Sequence, residues 1–296
     1  MKKFKSFLNP LEWIRAWQYS RKAGPYRKSA HDLELSLYSQ ILTNNMLHFG
    51  YFDDTSVTCE SISLKQLEDA QIRYAQKIIE QIKDKNNTVL DVGCGMGGLS
   101  SMIRKLDIPV EALTPNKKQI AFINKTQESL KTHQCKFEHF ETDTQYGTVI
   151  NSESIQYIAL DDAFQKVNNI LLPGGRWIIV DFFRINTSGK DKSAHLLEDF
   201  QQKRCDHKWE VIEEQDITLN TLPTLKFANM YVERFLKPLK HFAFEKLRYK
   251  KPWLYYLTND LRGSIDKKII KQHASIDPEM FLREKKYMLY VLERRH

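Results

Sequence analysis

The stretch TVLDVGCGMGGLS, residues 88 to 100, is an apolar run that enters a turn holding Gly93, Gly95, Gly97 and Gly98 and leaves it as a helix. Strand, glycine turn and helix in that order form a cradle at a helix N-terminus, where backbone can approach a ligand closely. Gly93, Gly95 and Gly98 satisfy GxGxxG, a pattern that dinucleotide sites use and that an ordinary strand-to-helix turn can also carry. Asp91 discriminates between ligands. A carboxylate at the carboxyl end of the strand repels a pyrophosphate and attracts positive charge. The loop therefore points to a nucleoside that bears cationic groups and no phosphate.

Outward from the loop, helices and strands alternate from about residue 63. LKQLEDAQIRYAQKIIEQIK has helical spacing, TVLDV is a buried strand, LSSMIRKL a helix, IPVEAL a second strand and NKKQIAFINKTQESLK a helix. CKFEHF is expected as the third strand, YGTVINSE as the fourth, DDAFQKVNNIL as a helix and, after a PGG turn, RWIIVDFF as the fifth strand. KWEVIEEQDIT and KKYMLYVLER supply two more strands, the last at the C-terminal end. The pattern predicts an α/β fold: a Rossmann-like, seven-stranded, mostly parallel sheet with helices on both faces. An N-terminal helical cap precedes it, and a helical insertion separates the last two strands. The expected segments are 1–62 for a basic amphipathic helix and cap, 63–221 for the ligand-binding core, 222–282 for the insertion and 283–296 for the last strand. Ligands of such sheets sit beyond the carboxyl ends of the strands, so the residues after strands one to four are the candidates.

With 42% apolar and 28% charged residues the composition is that of a soluble globular protein not dominated by disorder, and no run reaches the length of a membrane span. The start MKKFKSFLNPLEWIRAW is basic without an unbroken apolar stretch behind it, so a cytoplasmic protein is expected. Cys59, Cys94, Cys135 and Cys205 are scattered, which favours reduced thiols, and neither they nor the histidines have metal-site spacing. The net charge of +8 is uneven. Residues 1–30 carry eight Lys or Arg against Glu12 alone, and residues 222–257 carry eight against Glu233 and Glu245. Basic flanks surround an acidic centre, so an anionic partner would meet the flanks. On the helix that begins with NPLE, Leu11, Trp13, Ile14 and Trp17 share one side and Arg15 and Lys22 the other. Such a helix packs on its own domain or lies on an anionic membrane; spacing leaves both open.

With these motifs in place, the sequence resembles the class I S-adenosylmethionine-dependent methyltransferases over roughly residues 34 to 220. VLDVGCGMGG is similar to their glycine-rich first motif, and LLPGGRWIIVDF to their segment along strand five. LYSQILTNNMLHFGYF and VEALTPNKKQ resemble the branch of cyclopropane fatty acid synthases, sterol methyltransferases and tocopherol methyltransferases. The resemblance implies S-adenosylmethionine as cofactor, whose ammonium and sulfonium suit Asp91. It implies that Asp91, Gly93 and Gly95 face the methionine part, and that Thr114 and Gln119 contact the ribose. Glu111 falls inside its strand and should point away from the crevice. Glu141 matches an adenine contact, with Asp143 as a competitor, and Asn151 ends strand four where backbone carbonyls bind the ammonium. Tyr38, His48 and Gly50 match a cap element that closes over the methionine end, with His48 toward the substrate.

The cofactor brings an activated methyl group, so the protein must align a nucleophile, exclude water and take up a proton. Glu153 in NSESIQYI is the candidate base; a carboxylate capping the following helix is the competing role. Tyr157 would share its face if a helix has begun, although a tyrosine is a weak base at neutral pH. The aromatic, basic insertion suits a hydrophobic substrate such as an isoprenoid, fatty acyl or polyketide compound, methylated at carbon or oxygen, and contact with an anionic membrane. Nucleic acid is not an expected partner, because strand four is followed by neither an NPPF-type tetrapeptide nor a Pro-Cys nucleophile. RNA methylation and a cofactor-binding partner protein without turnover remain the alternatives.

Overall fold

The computed structural model describes residues 10–22, 41–187, 193–266 and 276–294. The chain forms two compact units, residues 1–43 and residues 44–296. In the first, α1 (Pro10–Lys22) exposes Leu11, Trp13, Ile14 and Trp17. Asn9, expected to cap it, lies outside the described residues.

The second unit is built on α2 (Leu64–Glu80), β1 (Val89–Val92), α3 (Gly98–Arg104), β2 (Val110–Leu113), α4 (Lys117–Thr126), β3 (Lys131–His133) and β4 (Tyr146–Ser152). It continues with α5 (Leu160–Ile170), β5 (Leu171–Arg184), α6 (Leu197–Asp206), β6 (Trp209–Asp216) and α7 (Thr218–Tyr231). A π turn at Val232–Leu236 leads into α8 (Lys237–Lys250), then α9 (Pro252–Leu257), α10 (Pro278–Glu284) and β7 (Lys285–Arg294). The seven strands run in the order β3-β2-β1-β4-β5-β7-β6. All neighbours are parallel except those of β7, which is antiparallel to both β5 and β6. This is the expected architecture. Among the described residues no helix is long and apolar enough to cross a membrane.

Side chains alternate across the strands and feed two cores. Val89, Ala112, Ile150 and Ile178 pack on one face with Ile78 of α2 and Ile103 of α3. Leu90, Val149 and Ile179 pack on the other with Phe164 of α5 and Phe200 of α6. Helix α2 starts in a reciprocal cap, Ser63 bonding the Gln66 amide while the Gln66 side chain bonds the Ser63 amide.

Two expectations need correction. CKFEHF is not the third strand: β3 is Lys131–His133, and Phe137–His139 forms a 3-10 turn. Phe137 and Phe140 are both buried, three residues apart, which is the period of that turn and not of a strand. The PGG segment is not a turn before strand five. It lies inside β5 as an irregularity, Gly174 having φ +72° where the register against β4 shifts between Tyr146 and Thr148.

Candidate active site

The parallel strands deliver their carboxyl ends to one edge. There Asp91 is buried, and its Oδ2 accepts a hydrogen bond from Ser100 Oγ of α3 at 2.5 Å. Burial pushes its carboxyl up to about 6 despite the Ser100 hydroxyl and amide. Gly93, Gly95 and Gly97 all have positive φ, +78°, +56° and +80°. A Cβ on Gly93 would stand 2.3 Å from Ser154 Cβ, so strain and crowding both demand glycine there. The Gly93 amide donates to Leu113 O at 2.8 Å, which ties the ends of β1 and β2. Its part is therefore to shape the loop, and Gly93 remains exposed among buried neighbours.

Thr114 and Gln119 come together as expected. Thr114 Oγ1 donates to Gln119 Oε1 at 2.7 Å, both residues are buried, and Asn116 between them caps α4. Glu111 turns away, accepting from Lys131 Nζ and Tyr146 Oη at 2.7 and 2.8 Å, with His133 Nε2 at 2.7 Å. Glu141 and Asp143 are both exposed. The Asn151 side chain serves the fold, its Oδ1 accepting from Trp177 Nε1 at 2.8 Å and its Nδ2 donating to Ser154 Oγ at 2.9 Å.

The segment 44–52 covers the glycine loop. A Cβ on Gly95 would lie 3.4 Å from Leu47 Cδ1, and one on Gly98 2.8 Å from Asn45 O. Gln71 of α2 holds the segment by donating to His48 O at 2.7 Å and Met46 O at 3.3 Å. Gly50 has a packing reason: a Cβ there would stand 2.6 Å from Ala70 Cβ, and its amide donates to Thr224 Oγ1 at 3.0 Å. His48 stacks on Tyr74 at 4.2 Å. Burial pushes its imidazole down to about 4. The neutral ring donates from Nδ1 to Phe49 O at 2.7 Å, a tautomer assigned from that acceptor, which leaves Nε2 a buried acceptor unpartnered among the described residues. Tyr38 lies outside the described residues.

Glu153 gathers the rest. Held at φ +50°, it accepts from the Phe49 amide at 2.7 Å and from Tyr287 Oη at 2.5 Å on one oxygen. Tyr287 Oη is 3.1 Å from Tyr74 Oη, and Ser152 Oγ donates to Tyr74 Oη at 3.3 Å. Burial raises the Glu153 carboxyl to about 7, although both donors favour the ionised form. Beside it Asp181 is fully buried; burial first and the Glu153 charge second hold its carboxyl well above the ordinary range.

The helix-cap role considered for Glu153 is not what the chain does. The turn after it is the short 3-10 segment Ile155–Tyr157, and Asp181 supplies its cap by accepting from the Gln156 amide at 3.2 Å. Nor does Tyr157 share a helical face with Glu153. The positive φ of Glu153 interrupts any helix, and Tyr157 is 75% exposed. Three residues were missed: Tyr74, Asp181 and Tyr287. In sequence the tyrosines read as core positions of a helix and a strand, and Asp181 sits within the apolar run of RWIIVDFF.

Known proteins are similar to the chain in sequence and in fold. The sterol 4-C-methyltransferase strm-1 of Caenorhabditis elegans is 28% identical over 141 residues, 44% of this chain and 42% of that protein. The geranyl diphosphate 2-C-methyltransferase of Saccharopolyspora erythraea is 29% identical over 135 residues, 42% of this chain and 47% of that one. The match thus spans less than half the length of these relatives. In fold the chain is similar to the cyclopropane synthase MmaA2 of Mycobacterium tuberculosis, with TM-score 0.62 at 14% identity over 86% of this chain and 92% of that one. A geranyl diphosphate methyltransferase solved with GPP and sinefungin gives TM-score 0.59 at 17% identity, over 89% and 94%. Residues 21–260 match the model of one family, and the chain accordingly belongs to the mycolic acid cyclopropane synthetase family.

Proposed function

We propose that the chain is an S-adenosylmethionine-dependent methyltransferase that methylates a hydrophobic small molecule, an isoprenoid, fatty acyl or polyketide compound, at carbon or oxygen. The observation that carries this reading is the half-buried Glu153 carboxyl at the end of β4, held by the Phe49 amide and Tyr287 and facing no salt-bridge partner among the described residues. A carboxyl so placed is matched to positive charge arriving from outside the fold, a sulfonium and then an electron-poor carbon. Family membership and the C-methyltransferase relatives support the same reading.

The residues fit the cofactor. Asp91, buried, raised to about 6 and hydrogen-bonded to Ser100, suits an ammonium group. Thr114 with Gln119 suits the ribose, Glu141 or Asp143 the adenine, and the end of β4 at Asn151 the amino-acid moiety. When bound, S-adenosylmethionine supplies an electrophilic methyl group.

The chain does the remaining work. The 44–52 segment, with His48 and Gly50, closes over the glycine loop and excludes water. Glu153 takes the proton that the methylated carbon or oxygen loses. Phe49 and Tyr287 fix its orientation, and a value near 7 suits a base at neutral pH. Tyr157, exposed at the rim, contacts substrate and is no base.

Transfer of labelled methyl from the cofactor into a total lipid extract tests this reading. Label should enter the extract with the native chain and fall roughly 100- to 10,000-fold with Glu153→Gln, while affinity for S-adenosylhomocysteine, which lacks the sulfonium, stays within a few fold. Undiminished transfer in the variant removes Glu153 from the chemistry. Absence of both cofactor binding and transfer in the native chain removes the activity itself.

A further inference from the structure

The insertion between β6 and β7 is anchored at both ends, by α7 and by Phe281 of α10, while its described middle is exposed. Leu222 and Leu225 of α7 are buried, yet neither the π turn, α8 nor α9 has a buried residue. From Thr218 to Lys250 the helix is unbroken. One side of its later part is half-covered, at Lys240, Phe244 and Leu247, with Lys240 paired to Asp266.

The opposite side is apolar and open. Phe235, Leu239, Phe242 and Tyr249 are 54, 63, 60 and 88% exposed, and their spacing of four, three and seven places them on one stripe. The stripe is about 21 Å long at 1.5 Å per residue. Lys246 fills its gap, its ammonium 5.4 Å from the Phe242 ring centre. Trp253, Tyr256 and Leu257 of α9 extend the exposed apolar surface. Residues 231–257 carry seven Lys or Arg against two Glu.

Apolar surface of this extent calls for a cover, and the charge selects it. A second copy would bring one basic face against another. The amphipathic α1, with Arg15, Arg21 and Lys22 against Glu12, is basic as well. An anionic bilayer satisfies both properties. Its acyl boundary takes Phe, Leu and Trp, its headgroup layer takes tyrosine hydroxyls, and its phosphates take lysines that extend past the apolar stripe.

We propose that the open face of the helix from Phe235 to Tyr249, continued by α9, docks the protein on an anionic lipid surface with the helix axis in the headgroup plane. Docking is independent of the methyl-transfer reading, since it needs neither cofactor nor turnover.

Sedimentation of the full chain with vesicles tests it. Binding should be at least roughly tenfold tighter to equal parts of phosphatidylcholine and phosphatidylglycerol than to phosphatidylcholine alone, and should weaken as salt rises. The Leu239→Ser/Phe242→Ser pair and the Lys246→Glu/Lys250→Glu pair should each weaken it by roughly tenfold or more. Circular dichroism and cofactor affinity should remain native, because these side chains are exposed. Equal binding to both vesicle types, or native binding by both pairs, overturns the proposal. So does loss confined to a Trp13→Ser/Trp17→Ser pair, which places the contact on α1. Lipid-free self-association abolished by the Leu239/Phe242 pair assigns the face to a second copy and overturns it too.

Discussion

Glu153 and Tyr287 are 134 residues apart in sequence and joined by the 2.5 Å bond that defines the site. The phenol donates to the carboxylate, favouring its ionised form, and burial opposes this and wins. Removing the hydroxyl should let the carboxyl rise further. Tyr287→Phe is therefore expected to move the acidic limb of the pH profile of methyl transfer to higher pH, because a base must be ionised to work. The KM for the cofactor should hardly change. A limb that stays in place would reduce Tyr287 to a core residue. The sequence reveals Glu153 and Asp91 because each follows an apolar run that ends at a strand's carboxyl edge. Tyr74 and Tyr287 carry no such mark, since what distinguishes them from core tyrosines is a contact made across 213 residues. Asp181 escapes notice for the same reason: its burial and its neighbour Glu153 exist only once β4 and β5 are paired.

At the scale of elements, β1, β2, β4, β5 and β7 are legible from their apolar runs, which are long enough to be buried on both faces. The three-residue edge strand β3 is not, because the stronger apolar signal nearby belongs to Phe137 and Phe140 in a 3-10 turn. The cap over the glycine loop is visible as a motif, but its mechanics are not. Gly50 lets the segment lie against α2, where Tyr51 N donates to Ala70 O at 2.8 Å. Gly50→Ala should drive the added methyl into Ala70 and lift the cap, costing about 1–3 kcal/mol. The melting temperature should drop by about 2–4 °C for each kcal/mol, and cofactor affinity should fall with it. Adding Ala70→Gly returns the space at about 1 kcal/mol of helix propensity, so the double variant should regain cofactor affinity without regaining full stability. If affinity in the double variant stays at the level of Gly50→Ala alone, contact between these two residues is not what seats the cap.

For the whole molecule, buried ionisable groups set opposing pH dependences. His48, lowered to about 4, contributes stability that is fully present above its unfolded value of 6.5 and is lost as pH falls toward 4. Asp91 and Glu153, raised to about 6 and about 7, act in the other direction. Their neutral forms suit the fold below 3.8 and 4.5, and that advantage is lost as pH rises through 6 and 7. A cationic cofactor should reverse only the second trend, because positive charge beside these carboxyls returns both to their ionised forms. Binding of S-adenosylmethionine near pH 6.5 is then expected to release protons, measurable as a dependence of the calorimetric heat on the ionisation enthalpy of the buffer. S-adenosylhomocysteine keeps the ammonium and lacks the sulfonium, so it should release fewer, the difference belonging to Glu153. In Glu153→Gln the two ligands should release equal numbers, with the Asp91 contribution intact. An unchanged difference in that variant would place the sulfonium away from Glu153 and leave the carboxyl without the cation that its burial requires.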